Sequence, residues 1–76
     1  MNEAVNVLNG KDTLAQVVAK DLNNRAARLS DDGMHDEALV LFQSAFRIYT
    51  KAFGTKHSST LSVMRNIDIL YERMGY

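Results

Sequence analysis

The sequence predicts an all-α protein, built as an array of antiparallel helical hairpins, and three observations support this prediction. The 76 residues include no proline, which is the residue that most often breaks a helix because it lacks a backbone N–H donor. Apolar residues recur at spacings of three and four, which is the period of one face of an α-helix. Part of one segment is also repeated at the C-terminus, which indicates stacked repeats of one helical unit.

The repeated stretch covers residues 22–33 and 64–75. When the first copy is superposed on the second, Asn24 falls on Asn66 and Leu29 on Tyr71. Between the copies lies a second apolar segment of helical period, residues 36–53. The order helix, turn, helix, turn and first helix again predicts three main helices.

The four glycines divide the chain at nearly regular intervals. They are Gly10, Gly33, Gly54 and Gly75. Glycine accepts the left-handed conformation that often follows the last turn of a helix. Each glycine is therefore predicted to end a helix.

The predicted domain boundaries follow from these stops. Residues 1–11 are expected to form a short helix or a disordered arm, and residues 12–76 the helical domain. The first helix is expected from about Asp12 to Asp31, with Thr13 and Gln16 as a capping box. We expect the second helix over about residues 35–52. The third should begin near residue 59, with Ser58 or Ser59 as its N-cap.

Each helix has a predicted buried face. On the first, it consists of Leu14, Val17, Val18, Leu22, Ala26 and Leu29. On the second, it consists of Ala38, Leu41, Phe42, Ala45, Ile48, Tyr49 and Ala52, with a second stripe of Leu39, Phe46 and Phe53. On the third, it consists of Leu61, Met64, Ile67, Leu70, Tyr71 and Met74. Val63 and Ile69 are predicted to lie off that face. The aromatic side chains are interpreted as core rather than as a ligand-stacking site.

Composition excludes several classes of function. Nine basic and nine acidic residues cancel, which argues against a nucleic-acid partner. The absence of cysteine excludes disulfides and thiolate metal sites. The longest apolar run, residues 38–42, is too short to span a membrane, and the N-terminus lacks the basic region of a secretory signal. A soluble, cytoplasmic protein is the expectation.

No catalytic constellation is found, so no enzyme and no cofactor are predicted. Asp31, Asp32, His35 and Asp36 have the side chains of metal ligands. Their spacing straddles a turn between helices, however, and we interpret them as residues of helix ends. His57 has no carboxylate nearby in sequence, and the serines that follow it lack the Gly-x-Ser-x-Gly context of a nucleophile, so His57 is expected to form a hydrogen bond within its loop.

Four segments resemble the tetratricopeptide repeat (TPR), in the 42-residue variety found in kinesin light chains. They are Leu22-Asn23-Asn24-Arg25-Ala26, Gly33-Met34-His35-Asp36-Glu37-Ala38, Phe42-Gln43-Ser44-Ala45-Phe46 and Phe53-Gly54-Thr55-Lys56-His57-Ser58. The resemblance covers about residues 20–76, or one and a half TPR-like units. It departs from the usual pattern at Arg25, normally leucine, and at Asp68, normally alanine or glycine.

The resemblance implies a protein-interaction module whose partner segment lies in a groove lined by the first helix of each unit. In this chain the partner-binding positions would be Lys20, Asn23, Asn24, Ala27, Ser62, Arg65, Asn66, Ile69 and Arg73. Ser30, Asp31 and Glu72 lie at matching positions. Asparagine suits the contact because its amide donates and accepts hydrogen bonds at once.

Two further expectations concern exposed surface. Stacked helical units cannot bury their apolar faces alone, so a dimer through the exposed side of the third helix is predicted. Arg25 and Asp68 either form a cross-helix ion pair or reach water at the rim, and the second reading is preferred. The alternative function is a purely structural capping or oligomerisation unit, or a fragment of a longer array, with no ligand of its own.

Overall fold

The computed structural model describes the backbone of residues 2–76 and the side chains of residues 14–76. It contains three α-helices: α1, Asn2–Asp31; α2, His35–Phe53; and α3, Ser58–Met74. The short turn between α1 and α2 folds α2 back along α1, and a second short linker connects α2 to α3. The predicted all-α array of helical hairpins is confirmed.

The bounds of α2 and α3 lie within one residue of those predicted, whereas α1 begins earlier. The predicted start at Asp12 is wrong, because α1 begins at Asn2 and continues through Gly10. A glycine inside a helix costs only about 1 kcal/mol relative to alanine, so Gly10 alone does not end one. The capping residues proposed at Thr13 and Gln16 therefore do not start a helix. The helix bounds do not test the predicted division of the chain into residues 1–11 and 12–76, and this division stays a prediction.

The end of α1 is closed by two hydrogen bonds that depend on a left-handed glycine. Gly33 has a φ of 85°. The Met34 N–H donates to the Leu29 carbonyl oxygen at 2.8 Å, and the Gly33 N–H donates to that of Ser30 at 3.0 Å. This is a Schellman motif, which satisfies carbonyl groups that the last helical turn leaves unpaired.

The end of α3 has the same geometry at the matching positions of the second copy. Gly75 has a φ of 90°, and its N–H donates to the Glu72 carbonyl oxygen at 3.1 Å. The Tyr76 N–H donates to the carbonyl oxygen of Tyr71 at 3.0 Å. The rings of Tyr71 and Tyr76 also meet edge to face, with centroids 5.6 Å apart. The two copies are therefore a repeat of structure as well as of sequence.

The core is centred on α2, which lies against both other helices. Its buried members are Ala19, Ala26, Ala38, Phe42, Ala45, Tyr49, Val63 and Leu70. The main stripe predicted for α2 is confirmed, and its second stripe packs half-buried against this core. Alanines on both α1 and α2 let the two helix backbones approach closely, because the distance between helices depends on the side chains at the contact.

The predicted buried face of α1 is only partly correct. Leu14 and Val17 are 65% and 59% exposed, and Val18 is also exposed, whereas Ala19 and Ala26 are fully buried. The lengths of the helices explain the difference. At 1.5 Å per residue, α1 is about 45 Å long and α2 about 28 Å, so α2 covers only part of α1.

The predicted face of α3 is rotated relative to the observed one. Val63, placed off the core by the sequence prediction, is fully buried, while Leu61 and Met64 are exposed. The buried face begins at Thr60, whose hydroxyl donates to the Gly54 carbonyl oxygen at 2.8 Å. Because this hydrogen bond satisfies the hydroxyl, a polar residue occupies a core position.

The N-cap of α3 is His57, so the prediction of Ser58 or Ser59 is wrong. The imidazole Nδ1 accepts a hydrogen bond from the Ser59 N–H at 3.1 Å. The imidazole also stacks on the Phe53 ring, with centroids 4.5 Å apart. The expected hydrogen bond of His57 forms, but its donor lies in the first turn of α3 and not in the loop, so the side chain caps the helix.

Replacing His57 by alanine should lower the free energy of unfolding by roughly 1 kcal/mol, because the Ser59 N–H loses its acceptor. Urea denaturation followed by circular dichroism would measure the change. Lys56→Ala, an exposed neighbour, is the control and should leave stability unaltered. Equal stability of His57→Ala and Lys56→Ala would show that the cap contributes nothing.

Candidate functional site

The residues predicted to bind a partner lie mainly along one surface, where α1 and α3 run beside each other. Two shallow clefts form it, and we call the surface the α1–α3 groove. The first cleft is lined by Gln16, Lys20, Asn23, Asn24, Tyr49, Ser58, Ser59, Ser62 and Val63. The second is lined by Ala27, Ser30, Asp31, Phe42, Asn66, Ile69, Leu70 and Arg73. Of the nine predicted residues, Arg65 alone lines neither cleft.

A hydrogen bond between two asparagines crosses the groove. The Asn66 side-chain Nδ2 donates to the Asn23 side-chain Oδ1 at 3.1 Å. Each amide has further hydrogen-bonding capacity, since Asn23 keeps its donor group and Asn66 its acceptor oxygen. Asn24 is exposed and lines the first cleft beside this pair. The groove thus presents amide donors and acceptors in a row, which matches the chemistry of a peptide backbone.

A second set of contacts joins α1 to α3 at the far end of the groove. Arg73 Nη1 donates to the Ser30 hydroxyl at 2.8 Å and to the Asp31 carboxylate at 3.1 Å. Ser30 is buried, whereas the Arg73 and Asp31 side chains are 46% and 70% exposed. An exposed ion pair contributes at most about 1 kcal/mol. The partner-binding role predicted for Arg73 stays a prediction; in the structure its guanidinium connects the two copies of the repeat.

The remaining groove side chains differ in character. Lys20 and Arg65 are exposed, and within residues 14–76 neither forms an ion pair with a carboxylate. Ile69 is 42% exposed beside Ala27 and supplies an apolar patch in the second cleft. Because Asp31 already pairs with Arg73, Lys20 in the first cleft is the cation that would attract acidic side chains to the groove.

Tyr49 is a groove residue that the sequence analysis assigned to the core alone. Its side chain reaches from α2 into the first cleft and is only 6% exposed. Burial raises the pKa of the Tyr49 phenol above its usual value, because the charged phenolate is poorly solvated there. The position on the α2 stripe predicted burial correctly, but nothing in the sequence indicated that this ring forms the floor of a cleft.

The raised pKa of Tyr49 makes the stability depend on pH at the alkaline end. The phenol is neutral in both states below about pH 10, so its full contribution is present there. Above that pH the unfolded state loses its proton first, so the free energy of unfolding falls until the folded-state pKa is passed. Tyr49→Phe should show a shallower decline between about pH 9 and pH 11 by urea denaturation. The decline should persist in Tyr76→Phe, since Tyr76 is 85% exposed, and an unchanged slope in Tyr49→Phe would contradict the assignment.

The cross-helix ion pair considered for Arg25 and Asp68 does not form. Arg25 Nε contacts the Asp21 carboxylate of its own helix at 3.0 Å, and both side chains are more than half exposed. Asp68 is exposed on α3. The preferred reading, that both charges reach water, is confirmed.

No candidate metal centre or membrane span is found in the described part of the chain. Among residues with described side chains, no three carboxylate or imidazole groups come together as metal ligands do, and this includes those around the first turn. None of the described helices combines the length and apolar character that a bilayer crossing needs.

The fold and groove together define a helical-repeat protein, whose units stack through shared helix faces and leave a groove along one side. A family profile described as tetratricopeptide repeat matches residues 18–75, and the chain belongs to this family. No match is found among curated proteins or among solved structures. The family is a non-catalytic scaffold fold that generally serves protein–protein interaction. The profile does not distinguish varieties of the repeat, so the kinesin-light-chain variety stays a prediction.

Proposed function

We propose that this chain is a protein-interaction module whose α1–α3 groove binds an extended, acidic segment of a partner protein. One observation carries the proposal: Asn23, Asn24 and Asn66 form a row of amides between two clefts. Such a row can hydrogen-bond the backbone of a segment whatever its side chains are.

The selectivity of the proposed groove comes from charge and from one apolar contact. Lys20 in the first cleft favours acidic side chains, and Ile69 in the second cleft offers a contact to a small apolar one. The groove spans only one pair of helices, so the affinity for an isolated peptide should be weak. Catalysis, a cofactor, nucleic-acid binding and membrane binding form no part of the proposal, and a cytoplasmic location is proposed with it.

Peptides selected from a random displayed library on the full chain would test the groove. We expect the selected peptides to be enriched in Asp and Glu. Their affinity, measured by fluorescence anisotropy, should fall about fivefold or more in both Asn24→Ala and Lys20→Ala, since each loses a direct contact. Lys51→Ala, an exposed lysine of α2 outside the groove, is the matched control. Peptides that bind all these proteins equally would place the interaction elsewhere.

Self-association is the second candidate function, and exposed apolar side chains favour it. Leu14 and Val17 on α1 and Leu61 and Met64 on α3 are each more than 40% exposed. Contacts between copies would remove this surface from water, which is favourable in proportion to the apolar area buried. In this reading the chain is an oligomerisation or capping unit.

The predicted dimer has a direct test in sedimentation equilibrium of the unmodified chain. A mass of twice the 8.5 kDa of one chain is expected at high protein concentration. Leu14→Ser together with Val17→Ser identifies whether α1 carries the contact. A mass that stays at one chain throughout the concentration range would refute self-association.

A further inference from the structure

The first cleft of the α1–α3 groove is lined almost entirely by side chains that can donate hydrogen bonds. Apart from Val63, its lining residues are a lysine, three amides, a phenol and three serine hydroxyls: Lys20, Gln16, Asn23, Asn24, Tyr49, Ser58, Ser59 and Ser62. Among residues 14–76, no carboxylate lines this cleft. Its volume of about 430 Å³ lies within the range of small-molecule sites. The cleft therefore has the size and the donor groups to hold an anion.

The Tyr49 hydroxyl is the group in this cleft that the packing of the helices does not explain. Tyr49 is only 6% exposed, yet its hydroxyl forms no hydrogen bond with any other described residue. This oxygen is not among the unpaired polar atoms that are shielded from solvent, so the small exposed part of Tyr49 includes the hydroxyl, and it opens into the first cleft. A buried phenol normally has a hydrogen-bond partner. This donor is therefore available to a ligand in the cleft.

The N-terminus of α3 lies at the same cleft. Ser58 is the first residue of α3 and lines the cleft. Its N–H has no acceptor among the described residues, whereas the Ser59 N–H donates to His57. A free N–H and the dipole of the helix both favour an anion at such a position. The partial positive charge of α3 and the charge of Lys20 therefore act on one cleft, and the buried phenol supplies a further donor there.

We propose that the first cleft binds the phosphate group of a phosphorylated serine or threonine in the partner segment. The inference rests on the function proposed above, because the segment is the one that lies in the α1–α3 groove. A phosphate monoester carries a charge of about −1.5 to −2 at pH 7 and three strong acceptor oxygens. A carboxylate carries a single charge on two oxygens. The many donors of the cleft, with the Lys20 ammonium group among them, therefore suit a phosphate better than they suit a glutamate.

Burial keeps the Tyr49 phenol in the form that this role requires. It raises the pKa of Tyr49 above its usual value, because the charged phenolate is poorly solvated there. The side chain is therefore a neutral donor at neutral pH, whereas a phenolate would repel the phosphate.

The second cleft does not offer the same conditions. Its volume is only about 130 Å³, and the Asp31 carboxylate lines it. Its cation, Arg73, already donates to that carboxylate and to the Ser30 hydroxyl. In the first cleft, by contrast, Lys20 has no carboxylate partner among the described residues, because the adjacent Asp21 contacts Arg25. The phosphate is therefore assigned to the first cleft.

The probes are three mixtures of short peptides, degenerate at every position except the central one, which is phosphoserine, glutamate or serine. Fluorescence anisotropy with the full chain should show that the phosphoserine mixture binds about tenfold tighter than the glutamate mixture, because the phosphate accepts more charge-assisted hydrogen bonds. The serine mixture should bind most weakly. Inorganic phosphate, added as a competitor at constant ionic strength, should bind about tenfold more weakly than the phosphoserine mixture, since it makes no contact with the rest of the groove.

A matched pair of double variants assigns the preference to the cleft. Tyr49→Phe with Ser62→Ala removes two hydroxyls from the first cleft and should reduce the tenfold preference to about twofold. Tyr76→Phe with Ser44→Ala removes a phenol and a serine hydroxyl outside both clefts and should leave the preference intact. Circular dichroism and urea denaturation check that the variants fold. If the first double variant unfolds, Ser62→Ala alone, at an exposed position, should still reduce the preference about twofold.

Failure of this inference and failure of the proposed function give different results. Equal binding of the phosphoserine and glutamate mixtures, both weakened by Lys20→Ala, would overturn the inference and leave the proposed function standing. If none of the mixtures binds, both are overturned. A preference for phosphoserine that persists in Tyr49→Phe with Ser62→Ala would place the phosphate outside the first cleft. Inorganic phosphate that binds as tightly as the phosphoserine mixture would identify free phosphate as the ligand and would overturn its assignment to a partner segment.

Discussion

The packing of α2 between α1 and α3 is the constraint on which the rest of the structure depends. Ala38 and Ala45 admit close contact between helix backbones, while Phe42 and Tyr49 fill the space between the alanines. α1 and α3 touch each other mainly through polar side chains, so α2 supplies most of the apolar surface that both helices bury. The groove exists because α2 holds two similar helices side by side and forms its floor with Phe42 and Tyr49.

The sequence predicted the features that are determined by neighbouring residues, such as the ends of helices. It missed the features that depend on how separate helices pack together. Gly33 and Gly75 were predictable stops, because the left-handed backbone they adopt is accessible to few other residues. Thr60 was not predictable as a core residue, since its hydroxyl is satisfied by the Gly54 carbonyl only after the linker has folded. With Thr60 on the buried face of α3, Val63 is buried as well and Met64 is left exposed, whereas the sequence prediction had these two residues the other way round.

The same distinction applies to the groove. The repeat placed Asn23, Asn66 and Arg73 on one surface, and all three lie there. Their mutual hydrogen bonds could not be predicted, because contacts between side chains so far apart in sequence are set by the crossing of α1 and α3. These bonds also show that some of the groove side chains are already hydrogen-bonded to one another. A ligand would have to compete with the Arg73 contacts to Ser30 and Asp31, while the free amide groups beside Asn66 are available without rearrangement.

The ion pair between Asp21 and Arg25 has a consequence for assembly. The superposition of the two copies makes these residues and Arg28 the counterparts of Val63, Ile67 and Leu70, which pack on the preceding unit. A neighbour placed against α1 in the same manner would have to dehydrate these three charges, which is unfavourable unless the neighbour supplies partners for them. The face of α1 that corresponds to the packed face of α3 is therefore charged, so the two copies of the repeat offer different surfaces to a stacked neighbour.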